Sequence, residues 1–227
     1  MHRITLFCLI FLSSFAAYAQ EDQSTWMSNS FQTDFNGSRY LLFTEIQPRF
    51  KEDTSAFSQL IVRPFVGYKI TSTWQLWLGY AWQGEYNSRD KFDLATNDIV
   101  QQAQWIDNIS PEINLQYRFR QEQRFMADAD LTHRMRHRFR VQYNIPDSQT
   151  YLVAFDELFL HLNSVNHGRL KNTVQSGINQ NRAYVGIGYK ITPKILVDTG
   201  YQLQYLNNFD REDLFNHVWL TNVFVNF

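Results

Sequence analysis

Over most of the chain, apolar and polar side chains alternate with a period of two, and short polar segments interrupt the alternation at regular intervals. Successive side chains of a β-strand point to opposite faces, so this pattern predicts strands with one oily and one polar face. It is clearest at residues 113–125 and 134–145. The first stretch sets Ile113, Leu115, Tyr117 and Phe119 against Asn114, Gln116, Arg118, Arg120, Glu122 and Arg124. The second sets Met135, Phe139, Val141, Tyr143 and Ile145 against Arg134, Arg136, Arg138, Arg140, Gln142 and Asn144. Paired as one antiparallel hairpin, the two strands gather seven arginines on a single face.

The same alternation predicts strands at 39–50, 57–69, 74–86, 99–109, 150–163, 181–191, 195–206 and 216–227. Residues 74–86 set Trp74, Leu76, Leu78, Tyr80 and Trp82 against Gln75, Gly79, Gln83 and Glu85, a run longer than the five or six residues usual in soluble sheets. Residues 24–35 form a weaker strand that ends on Asn36-Gly37, a strong short-range hairpin signal. Asp156 interrupts an oily face and predicts a bulge or a strand end near an interface.

Connections alternate in length. Tight turns are expected at 70–73, 110–112, 146–149 and 192–194, and longer polar loops near 87–98, 126–133, 164–180 and 207–215. Short turns at one end, long loops at the other and alternating strands are the signature of outer-membrane barrels. The fold expected is therefore all-β, an antiparallel transmembrane β-barrel of about 10–12 strands. A soluble exported sandwich would need neither such long strands nor loops confined to one end. The strand count strains the reading. Eleven segments alternate, whereas bacterial single-chain barrels are even-numbered. Residues 24–35 are left as an extra strand lacking an assigned partner or as a segment inside the lumen.

Met1-His2-Arg3, an apolar run at 4–12 and Ala17-Tyr18-Ala19 form a secretory leader cleaved after Ala19. Residues 20–227 then make a single barrel domain, exported to the bacterial outer membrane. The one cysteine, Cys8, lies in the leader, so the domain manages without disulfides. The formal net charge of −1 becomes −2 once Arg3 is removed, which points to no nucleic-acid partner.

The segments RFRQEQRF (118–125), RMRHRFRVQY (134–143), FDELFLHLN (155–163) and NQNRAYVGIGYKITP (179–193), with a final aromatic, resemble the bacterial outer-membrane β-barrels called "domain of unknown function 2490". The resemblance covers essentially the whole domain. It implies a barrel in the outer membrane and brings no established activity or catalytic residues with it.

With the oily faces toward lipid, Arg49, Arg63, Arg118, Arg120, Arg124, Arg134, Arg136, Arg138, Arg140, Arg182 and Lys190 point into the lumen. Glu45, Glu85, Glu122, Glu157 and Asp198 join them. One consequence is an anion-preferring pore or a site for a small anionic solute, because guanidinium forks match carboxylate and phosphate. The other is a filled, structural interior in which Glu122 and Glu157 each bridge several arginines. Trp74, Trp82 and Trp219 are candidate membrane-interface anchors against outer-membrane lipid. Val223, Val225 and Phe227 form a C-terminal signal of the kind read by barrel-assembly machinery.

Two other function classes remain. A lipid- or lipopolysaccharide-modifying enzyme would draw on His161 and Ser164, but no third orienting residue is evident. A surface receptor would act through the outer loops. His137 falls on the oily phase, and the scattered histidines offer no metal spacing. Gly186 and Gly188 read as strand positions that make room for bulky lumen neighbours. A monomer with neither cofactor nor metal is expected.

Overall fold

The computed structural model describes residues 22–52, 54–86, 92–126, 129–167, 172–208 and 212–227. The expected leader at 1–19 lies outside the described residues. Eleven strands close into a barrel: β1 (Asp22–Asp34), β2 (Tyr40–Lys51), β3 (Ala56–Lys69), β4 (Trp74–Tyr86), β5 (Phe92–Asn108), β6 (Ile113–Met126), β7 (Thr132–Asn144), β8 (Thr150–His161), β11 (Gly177–Thr192), β12 (Ile195–Leu206) and β13 (Leu214–Asn226). Two short strands, β9 (Val165–His167) and β10 (Asn172–Val174), pair with each other in the connection between β8 and β11.

Neighbours around the barrel are antiparallel except at one seam. β1 pairs antiparallel with β2 and parallel with β13, from Asp22 beside Asn216 to Gln32 beside Asn226. The topology requires this. β2 starts at the end of the barrel that carries the short turns and β13 finishes there. A strand inserted between them can oppose only one of the two. The segment at 24–35 is thus a wall strand with two partners, and the odd count follows from one parallel pair.

The turn end owes its shape to local chemistry. Asn36 and Gly37 both adopt positive φ, 52° and 75°, as a tight hairpin turn demands, and the Gly37 N–H donates to Asp34 Oδ1 at 2.9 Å. Lys69 Nζ then reaches Asp34 Oδ2 at 2.8 Å, tying β3 to β1 across β2.

Two expectations about the strands are corrected. The ladder passes through Asp156 without a bulge, pairing it with Phe139 and Ala183. Both Asp156 carboxylate oxygens accept from Asn181 Nδ2 at 3.1 Å, so a cross-strand amide satisfies the charge in place, and the irregularity lies instead between Ile178 and Gln180. β5 begins at Phe92, well before residue 99, because Leu94, Ala95 and Thr96 extend the ladder against β4.

Outward faces carry Leu42, Ile46, Val66, Leu76, Leu78, Val141, Leu152, Val185 and Ile187, all exposed, so an apolar surface runs around the barrel. The interior is mixed. Trp26, Tyr151, Val153, Tyr184, Val218 and Leu220 pack on one side, and Leu41, Phe65, Trp77, Ala81 and Val100 on the other. Glycines make room for the rings. A Cβ at Gly188 would run into the Tyr151 ring, and one at Gly79 into Phe65.

Candidate functional site

The β6–β7 hairpin supplies the chemistry of the lumen. Its register sets Arg118 opposite Arg138, Arg120 opposite Arg136 and Glu122 opposite Arg134, with all six side chains turned inward. Like charges directly opposite one another repel, so this arrangement depends on acids from neighbouring strands. β8 brings Glu157 beside Arg138 and Arg182 in the ladder, and its carboxylate turns to Arg118 and Arg136.

Arg136 is the centre of the network. Its Nη1 donates to Glu122 Oε1 at 2.8 Å, and its Nε and Nη2 donate to Glu157 Oε1 at 3.1 and 2.9 Å. Arg118 Nη2 adds a third donor to Glu157 at 2.6 Å, and Arg134 Nε donates to Glu122 Oε2 at 2.7 Å. Arg124 pairs with Asp98, Arg63 with Glu45 and Arg140 with Asp198, at 3.2, 2.8 and 3.1 Å. Asp198 also accepts from the Tyr184 hydroxyl at 2.8 Å, the Tyr151 hydroxyl at 3.3 Å and Asn222 Nδ2 at 2.6 Å.

Four lumen arginines stand apart, with no carboxylate in ion-pair range among the described residues: Arg49, Arg120, Arg138 and Arg182. Neutral groups and rings hold three of them. Arg49 lies 3.7 Å over the Trp26 ring and donates to Gln47 and Gln59, each at 3.0 Å. Arg182 sits 4.9 Å from the Trp26 centroid and 4.7 Å from that of Phe159. Turned so that both of its ends are satisfied, the Gln180 amide accepts from Arg182 Nε and Nη2 at 2.6 and 2.8 Å. Arg120 gives Nε and Nη2 to Gln102 Oε1, at 3.0 and 2.6 Å, and its buried Nη1 has no hydrogen-bond acceptor among the described residues. Arg138 lies 5.6 Å from the Phe155 ring.

These side chains surround a chamber of about 310 Å³ in the middle of the barrel, lined by Arg118, Arg120, Arg136, Arg138, Arg140 and Arg182 together with Trp26, Trp77 and Phe155. The lining continues toward the turn end through the half-buried Gln32, Ile106 and Gln116 and the exposed Asn226, with Gln142 buried among them. Gln142 also borders a wider polar cleft at that end, with Asn114, Asn144 and Lys190. Toward the loop end the interior is solid. Ile61, Val100, Glu122, Phe159 and Val218 are buried above the chamber, and Thr96, Thr132, His161, Gln180 and Gln204 above them are buried as well.

The remaining sequence candidates are placed as follows. Trp74 and Trp219 are exposed on the outer face, and Trp82 faces outward against Phe92 in a ring cluster with Phe50, Phe57 and Tyr86. Val223 and Val225 pair with Val197 and Ile195, and Phe227 is exposed with its N–H donating to the Gln32 carbonyl at 3.0 Å. His161 is buried at the end of β8, while Ser164 Oγ accepts from the Ser176 N–H at 3.0 Å. His137 faces outward, its Nδ1 2.9 Å from the Tyr117 hydroxyl. Asp98, Gln102 and Trp26 contribute to the lumen without having stood out in the sequence. Asp98 lies in a segment polar enough to pass for loop, and Trp26 in a strand with no visible partner.

The model of the family described as "Protein of unknown function (DUF2490)" matches residues 23–215. The chain belongs to this family. That range takes in β1 to β12 and the entire arginine network, so this DUF2490 member carries its lumen charges within the family-defining region. An uncharacterized protein of Methylorubrum extorquens is 27% identical over 224 residues, covering 97% of this chain and 95% of that protein. A solved structure titled "NanC porin structure in rhombohedral crystal form" aligns with 80% of this chain and 87% of its own, at 13% identity and a TM-score of 0.47.

Proposed function

We propose that this protein is a porin-like barrel of the bacterial outer membrane whose lumen draws in small anions. The observation that carries the reading is the set of arginines with no carboxylate in ion-pair range among the described residues, Arg120, Arg138 and Arg182, around an internal chamber. A narrow barrel that only needed filling could have used neutral side chains there. An excess of buried positive charge favours anions in an interior of low dielectric. The membrane part of the proposal rests on a closed wall, which leaves no unpaired edge, and on an apolar outer face bounded by aromatic residues. The leader at 1–19 and the C-terminal Val223, Val225 and Phe227 fit export and assembly into that membrane. Tyr40, Tyr68 and Trp74 at the turn end, and Trp82, Phe92 and Phe57 toward the loop end, would sit at its two interfaces.

The test uses the tryptophans of the chamber. In refolded protein with Trp74, Trp82, Trp105 and Trp219 changed to Phe, the remaining fluorescence comes from Trp26 and Trp77. Iodide should quench it more strongly than caesium at equal ionic strength, and Arg138→Glu should remove the difference. Equal quenching by the two ions in the parent protein would refute an anion-preferring lumen.

A further inference from the structure

We propose that the chamber is a blind, saturable oxyanion site: a small carboxylate or phosphate enters from the turn end and is held by Arg120 and Arg138 beneath a solid layer that closes the loop end. The inference rests on the anion-admitting reading above and adds a site, a ligand class and a direction of entry.

The case for a site begins with Arg120. Its side chain is 2% exposed, two of its donors share one amide oxygen, and Nη1 is left buried with nothing to donate to among the described residues. A buried charged donor without an acceptor costs several times what an ordinary hydrogen bond contributes, so the arrangement is incomplete as it stands. Arg138, diagonally across the β6–β7 ladder, lines the same chamber and has no acid in ion-pair range among the described residues. Two guanidinium groups with unused donors can grip a planar carboxylate or a phosphate through paired N–H···O bonds. Chloride would fit the charge but not the fork.

The size of the space limits the ligand. About 310 Å³ lies at the small end of the usual range for ligand pockets, which suits a short organic acid or phosphate ester better than an oligomer. The walls beyond the arginines offer Gln102, Gln116, Gln142 and Asn222 for hydroxyl or carbonyl groups, and Phe155 and Trp77 for apolar carbon.

The direction of entry follows from packing. On the loop side, Arg136 spans the lumen between Glu122 and Glu157 with its guanidinium 4.5 Å from the Phe159 ring, and Val100 and Val218 are buried at the same end. A buried pair of this kind opens only if a carboxylate is left unpaired. On the turn side the lining is less covered, at Gln32, Gln116 and Asn226, and the buried Gln142 lines both it and the wider cleft that holds Lys190. Lys190 adds positive charge at the mouth.

The experiment adds inorganic phosphate to the iodide-quenching assay and records planar-bilayer conductance of the same protein. Phosphate should protect Trp26 and Trp77 along a saturating curve, Arg138→Gln should move its midpoint upward by about tenfold, and Arg138→Lys by less. Arg138 carries no ion pair among the described residues, so both variants should fold. The bilayer should stay silent. If iodide outcompetes caesium but phosphate protection is linear, or unchanged in Arg138→Gln, the site is refuted while the anion-preferring lumen survives. A steady current through the parent protein would overturn the blind end. Iodide and caesium quenching alike would remove the lumen reading itself.

Discussion

Replacing Glu157 by glutamine tests whether the lumen network holds the barrel together. Glu157 Oε1 accepts from Arg118 Nη2 and from Arg136 Nε and Nη2, and the three side chains are only 4–11% exposed. The amide keeps the shape and one acceptor oxygen but loses the charge, which strands Arg118. Arg136 keeps Glu122 at 2.8 Å. Breaking a buried ion pair by neutralising one partner costs about 3–5 kcal/mol, and the retained oxygen and the second acid put this case near 3 kcal/mol. Urea unfolding of the protein refolded into lipid vesicles, followed by tryptophan fluorescence, would read this as a lower midpoint at unchanged slope. Adding Arg118→Gln to Glu157→Gln should recover about 1–2 kcal/mol, because the stranded charge is then gone. A loss below about 0.5 kcal/mol for Glu157→Gln, typical of surface substitutions, would refute the view that this carboxylate holds the arginines in place.

Two further outcomes follow from the wall. Gly188→Val should cost about 1–3 kcal/mol in the same unfolding assay, since the new side chain occupies the space of the Tyr151 ring, and Tyr151→Ala should relieve the clash. Deleting residues 22–34 should leave no folded monomer on a native gel, because it exposes the facing edges of β2 and β13 together.

Much of the wall was legible because period two is a local signal. Once β6 and β7 are recognised as strands, Arg118, Arg120, Glu122, Arg136 and Arg138 fall on one face. Which arginine finds which acid was not legible. Glu157 reaches Arg118 two strands away, and that partnership depends on the register of β8 against β7 and on the curvature of the barrel. The seam was hidden for a different reason. Trp26, Ser28, Ser30 and Gln32 face inward on β1, and small polar residues there blur the alternation that marks strands elsewhere. Its parallel partner β13 lies at the opposite end of the sequence, and no turn links the two. Asp98 was hidden because strand β5 begins inside a stretch whose Asn97 and Asp98 read as loop, although Asp98 is a buried partner of Arg124.

The lumen therefore contains two kinds of arginine, and the difference bears on what the barrel is for. Arg63, Arg118, Arg124, Arg134, Arg136 and Arg140 have acids, and their role in filling and fixing the interior is sufficient to explain them. Arg49 and Arg182 have no acid in ion-pair range among the described residues but lie over Trp26, and Arg182 also faces Phe159, so ring faces and amide oxygens offset part of the burial cost. Arg138 has the least compensation, 5.6 Å from the Phe155 centroid, while Arg120 gives two donors to Gln102 and lies 5.1 Å from the Phe65 centroid but keeps a buried Nη1 with no acceptor among the described residues. A cation–π contact contributes about 0.5–2 kcal/mol, less than the several kcal/mol that burying a guanidinium costs. Structure alone would be served better by glutamine at both positions. Part of the residual cost falls on Arg120 and Arg138, which line the chamber together with Arg182, as expected if an anion completes them.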